Sequence, residues 1–66
     1  QDYVIIEGVY KAQTRKAALF VVDGVEYWIP RSNLGYRTEE ALGTLEPNDI
    51  HDIRVAEWFA QQKINY

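Results

Sequence analysis

Asp23-Gly24 stands between two runs of β-forming residues, Ala17-Ala18-Leu19-Phe20-Val21-Val22 and Val25-Glu26-Tyr27-Trp28-Ile29. No other local feature of the chain restricts its folding as tightly. Asp-Gly readily takes the positive φ values of a type I′ turn, whose twist matches that of the strands it joins. A two-residue loop also sets the register. Val22 faces Val25, Val21 faces Glu26, Phe20 faces Tyr27, Leu19 faces Trp28 and Ala18 faces Ile29. Side chains alternate along a strand. One face therefore holds Ala18, Phe20, Val22, Val25, Tyr27 and Ile29, all apolar, and is assigned to the core. The other face, Leu19, Val21, Glu26 and Trp28, is mixed.

The segments around the hairpin extend this β framework. Tyr3 to Tyr10 is rich in β-formers, with Gly8 as the expected bulge or bend. Gln13-Thr14-Arg15-Lys16 reads as a turn, so three strands form an antiparallel meander. Pro30 ends the third, because it cannot donate to a ladder. Thr38 is placed to cap a short helix with Glu39 and Glu40 in its first turn, where carboxylates suit the positive dipole end, and Gly43 to stop it. Glu46-Pro47-Asn48-Asp49 is a turn, and residues 50–55 alternate as a fourth strand would. From Ala56 the pattern becomes helical, with Lys63 near the favourable C-terminal end. The expected fold is α+β: one domain over 1–66, a small antiparallel sheet of three to four strands that can curl toward a barrel, and a short C-terminal helix. Its core is expected to hold Val4, Ile6, Phe20, Val22, Tyr27, Ile29, Ile53 and Phe59.

Sixty-six residues bury only about 60% of the unfolded chain's surface, so the core is thin. No cysteine is present to brace it, but 47% of residues are hydrophobic, which argues against disorder. The longest uncharged apolar run, Ala17 to Val22, is too short to span a bilayer. The first ten residues read as a strand rather than a signal peptide, and the expected location is the cytoplasm of a bacterial host.

Charge is unevenly spread. Residues 38–57 hold Glu39, Glu40, Glu46, Asp49, Asp52 and Glu57 against one base, Arg54, a net charge of −5. Residues 1–37 hold four acids against Lys11, Arg15, Lys16, Arg31 and Arg37, a net charge of +1. Such a split points to a cationic partner.

Residues suited to catalysis are few. His51 is the single histidine, and the hydroxyl groups at Thr14, Ser32, Thr38 and Thr44 lack a nucleophile-elbow context. His51 reads as a strand surface residue, and the chain as a non-enzyme. Asp49, His51 and Asp52 are potential metal ligands within four residues, but they lack EF-hand spacing and alternation puts His51 opposite Asp52. No metal and no cofactor are expected.

Two binding readings compete. In the first, Glu39, Glu40, Glu46, Asp49, Asp52 and Glu57 form a partner-binding face that occupies a basic groove built for DNA, with salt-sensitive affinity. In the second, Tyr10, Tyr27, Trp28 and Tyr36 stack bases while Lys11, Arg15, Lys16, Arg31 and Arg37 hold phosphates. The sequence pI near 4.9 opposes the second. Trp28 is expected to be covered by the C-terminal helix through Trp58 or Phe59. Left uncovered, Trp28 with Leu19 and Val21 would be an apolar patch of the kind that marks a protein interface.

Tyr27-Trp28-Ile29-Pro30-Arg31-Ser32, after the Asp-Gly hairpin, and Val55-Ala56-Glu57-Trp58-Phe59-Ala60-Gln61-Gln62-Lys63 together resemble a group of short proteins of bacteriophages and other mobile elements. Those share a layout of hairpin, W-I-P-x-S, spacer and E-W-hydrophobic-A-x-x-K. The resemblance spans about two-thirds of the chain and omits the acidic middle. Ala56 departs from it, since proline is common there. The shared residues imply a fold, not a catalytic activity. Size, acidity and the lack of catalytic residues also resemble anti-CRISPR proteins, several of which imitate DNA to block a surveillance complex. By that analogy, the expectation is a monomeric, non-enzymatic inhibitor that presents the acidic residues to a basic groove of a host defence complex. The alternative is a nucleic-acid-binding accessory module. A third reading is an assembly protein that pairs through the Trp28 face.

Overall fold

A computed structural model describes residues 2–66 of the chain. Four antiparallel strands, β1 (Tyr3–Gln13), β2 (Ala17–Val22), β3 (Val25–Pro30) and β4 (Ile50–Ala56), form one sheet in the order β3-β2-β1-β4. The sheet is open, not curled into a barrel. β3 and β4 are its two edges.

The hairpin has the register its turn dictates. Val22 pairs with Val25, Phe20 with Tyr27, Leu19 with Trp28 and Ala18 with Ile29. Asp23 and Gly24 have φ of 52° and 80°, the left-handed pair of a type I′ turn. The β1–β2 loop is Thr14–Lys16, one residue shorter than the polar run implied. Thr14 Oγ1 accepts the amides of Lys16 and Ala17 there. The bulge falls at Lys11, between the Tyr10–Phe20 and Ala12–Leu19 pairs. Gly8 instead sits in regular register opposite His51. A Cβ on Gly8 would lie 3.5 Å from Phe20 and Val22, so its smallness answers core crowding at the centre of the sheet.

After β3 the chain makes a 3₁₀ turn, Arg31–Asn33, and crosses to the far edge. Leu34 bridges to Val55, and the Gly35 amide donates to the Arg54 carbonyl at 2.8 Å. Helix α1 (Tyr36–Ala41) follows, with Gly35 rather than Thr38 as its N-cap. Thr38 lies inside the helix, and its Oγ1 accepts the Arg54 amide at 2.9 Å, which ties α1 to β4. A tighter turn, Leu42–Thr44, continues α1 past Gly43. After β4 comes one turn of helix, α2 (Glu57–Phe59), which widens into a π-helical turn over Ala60–Ile64. Asn65, at φ 60°, ends it in the left-handed conformation.

The helices and turns cover one face of the sheet. The core joins Ile6, Tyr10, Ala18, Phe20, Val22, Ile29, Ile53 and Val55 of the strands to Leu34, Leu42, Phe59, Ala60 and Ile64. Val4 and Tyr27, expected inside, are half-buried and pack against this cluster. Val25, at the hairpin tip, is beyond its cover and exposed. Tyr10 and Phe20 meet with ring centroids 5.7 Å apart.

Candidate functional site

The opposite face of the sheet is bare. Alternation places Tyr3, Ile5, Glu7 and Val9 of β1, Leu19 and Val21 of β2, Glu26 and Trp28 of β3, and Ile50, Asp52 and Arg54 of β4 on it. Trp28 is 52% exposed, Ile5 54% and Ile50 63%. The expected cover of Trp28 by the C-terminal helix is therefore absent: Phe59 turns to the core on the other side of the sheet, and Trp58 stacks edge-on against it. Register arranges the bare face in cross-strand rows. Trp28, Leu19 and Ala12 make one row, and Glu26, Val21, Val9 and Ile50 the next. Glu7 and Asp52 make a third.

The third row is the electrostatic feature of this face. Glu7 and Asp52 are direct cross-strand partners, and both are exposed. Like charges in that position repel. Among the described residues neither forms an ion pair; the single salt bridge joins Arg31 to Glu39 at 2.9 Å. Glu26 lies on the same face, so three carboxylates and one guanidinium, Arg54, accompany its apolar rows.

The six acids of the sequence window do not share one surface. Asp52 alone stands on the bare face. Glu39 is held by Arg31, and Glu40 accepts the Tyr36 hydroxyl at 2.9 Å, both on the α1 side. Glu46 and Asp49 are exposed in the turn that leads into β4, and Glu57 is half-buried at the start of α2. Glu7 and Glu26 were not singled out in the sequence. The alternation of β1 and β4 was visible there, but the register that brings Glu7 opposite Asp52 was not.

The basic and aromatic set is dispersed as well. Lys11 donates to Asn48 Oδ1 at 2.6 Å. Arg31 donates to Glu39, to Gln13 Oε1 and to the Thr14 carbonyl, which fastens β3 to the β1–β2 loop. Arg15 and Lys16 are exposed in that loop. Tyr10 is buried and accepts Gln13 Nε2 through its hydroxyl oxygen, and Tyr27 is half-buried, so neither offers a stacking platform. Trp28 and Tyr36 are exposed, and Glu26 lies two residues from Trp28 on the same face of β3.

The hydroxyl groups serve the backbone. Thr14 caps its turn, Thr38 binds the Arg54 amide, and Thr44 donates to the Ala41 carbonyl at 2.7 Å. His51 is only partly at the surface. It is half-buried on the core side of β4, opposite Gly8, and its Nε2 is buried without a hydrogen-bond partner among the described residues. Among those residues there is no cluster of three His, Asp or Glu side chains that could hold a metal. Among the described residues no helix is long and apolar enough to cross a membrane.

This architecture defines a small α+β domain: an open four-stranded antiparallel sheet layered on one side only. No protein-family model, curated protein or solved structure matches the chain.

Proposed function

We propose that this domain is a non-enzymatic inhibitor that binds a basic protein surface through the uncovered face of its sheet, in place of DNA. The Glu7–Asp52 row carries this reading. Two carboxylates side by side on an exposed apolar face weaken the fold on their own and gain energy only when a cation meets them. Apolar neighbours at Ile5, Val9, Ile50 and Trp28 supply the area that a stable interface buries. Asp49 and Glu46 continue the acid beyond the end of β4. Glu39 and Glu40 contribute least, because Arg31 and Tyr36 already engage them.

The test has two arms. Fluorescence anisotropy with single- and double-stranded DNA at low salt is expected to detect no binding, and clear binding would favour the nucleic-acid accessory module instead. Capture from a bacterial lysate is expected to retain a DNA-binding protein that salt or added duplex DNA releases. The Glu7→Lys/Asp52→Lys variant loses that capture, while Glu39→Lys/Glu40→Lys keeps it. Equal capture by the two variants would overturn the reading.

A further inference from the structure

The edge of β4 carries a second surface. A groove of about 350 Å³ runs over it, with Arg37, Thr38, Leu45, His51, Asp52 and Arg54 in its walls. Its backbone side is open. Arg54 turns its amide to Thr38 and its carbonyl to Gly35, both away from β1. Backbone direction repeats every two residues in an antiparallel ladder, so Asp52 and Ile50 turn theirs to the same side, beyond the point where the Leu34–Thr38 segment seals the edge. Edge strands left open in this way are templates for another strand.

The groove also has a charge that the domain does not balance. Arg37 and Arg54 are both exposed, and neither is in an ion pair among the described residues. Asp52 is the one carboxylate on the wall, on the same face of β4 as Arg54, so the two guanidinium groups outnumber it and leave the wall positively charged. His51 adds a ring nitrogen without a partner. Two free guanidinium groups beside an open ladder suit a ligand with both a backbone and carboxylates.

We propose that this groove binds an extended, acidic peptide segment of a partner protein. The segment adds a short fifth strand opposite Ile50–Asp52, with its carboxylates against Arg37 and Arg54. The Thr38 hydroxyl occupies the ladder position at Arg54 and stops the added strand there. The peptide uses the Asp52 backbone, whereas the inhibitor reading uses its carboxylate, so the two stand or fall separately.

The experiment is a titration of ¹⁵N-labelled protein with a blocked pentapeptide of alternating glutamate and valine, followed by amide shifts. Saturable shifts are expected at Thr38, Ile50 and Asp52, with slowed amide exchange at Asp52. A lysine-for-glutamate peptide, and a peptide N-methylated at alternate amides, should each bind about tenfold more weakly, or about 1.4 kcal/mol. Arg37→Glu/Arg54→Glu should lose a similar factor with an unchanged circular dichroism spectrum. If that variant unfolds, Arg37→Gln, at an exposed helix position, carries the comparison. Absence of shifts at millimolar peptide, equal binding of the lysine or N-methylated peptides, or shifts confined to the Trp28 face would each overturn the proposal.

Discussion

Single residues at the β4 edge hold the two layers in place. Gly35 leaves no room for a side chain: a Cβ there would lie 2.9 Å from the Arg54 Cβ. Its φ of −63° is open to any residue, so the constraint is close approach rather than backbone conformation. Gly35→Ala must push α1 off β4, and we expect a loss of about 1–3 kcal/mol in urea unfolding, as for other overpacked sites. Thr38→Val keeps the shape but strands the Arg54 amide, with an expected loss of about 1 kcal/mol by the same measurement. Neither role was visible in the sequence. Thr38 carries the signature of a cap, and its hydroxyl is spent instead on a strand residue sixteen positions away in the chain, a use that only the fold creates.

At the scale of elements, the hairpin was the most legible part of the chain. Its two-residue turn fixes every pair from Ala18–Ile29 to Val22–Val25. Gly24 has open space around its Cα and φ of 80°, so its role is conformational. Gly24→Ala should lower stability by about 1 kcal/mol without moving the register, with unchanged β2–β3 amide shifts as the check. The β1–β4 pairing was not legible, because no turn links those strands and tertiary packing sets their register. The bulge was expected at Gly8, the residue with backbone freedom. It occurs at Lys11, where β1 swings past the end of the core and Gln13 turns inward to Tyr10 and the Leu42 carbonyl.

For the whole molecule, the sequence showed which face of the hairpin is apolar throughout but not that the other would stay bare. The reason is supply. The 31–49 connection and the C-terminal helix together provide Leu34, Leu42, Phe59, Ala60 and Ile64, enough to cover one side of a four-stranded sheet. Trp28 lies on the second side and receives nothing. The acid window misled in the same way: its residues are neighbours in sequence, yet they wrap around the β4 edge and end on different surfaces. The Glu7–Asp52 row has a consequence for stability as well as binding. Glu7→Lys turns a repulsive cross-strand pair into an attractive one and should raise stability by about 0.5–1 kcal/mol at low salt, less at high salt, in urea titrations at the two ionic strengths. A drop in stability would mean that the two carboxylates splay apart and do not repel.

The sheet order has a kinetic corollary. β1, the first strand made, finds only part of its pairing in the β2 hairpin; Tyr3 to Gly8 find theirs in β4, with Tyr3 opposite Ala56. Contacts this distant along the chain form slowly, since the loop between them must close first. A nascent chain emerging from the ribosome can therefore make the meander early, but half of β1 stays unzipped until β4 has been synthesised. Until β4 is available, the unpaired half of β1 is the stretch most exposed to chaperones, proteases and other nascent chains.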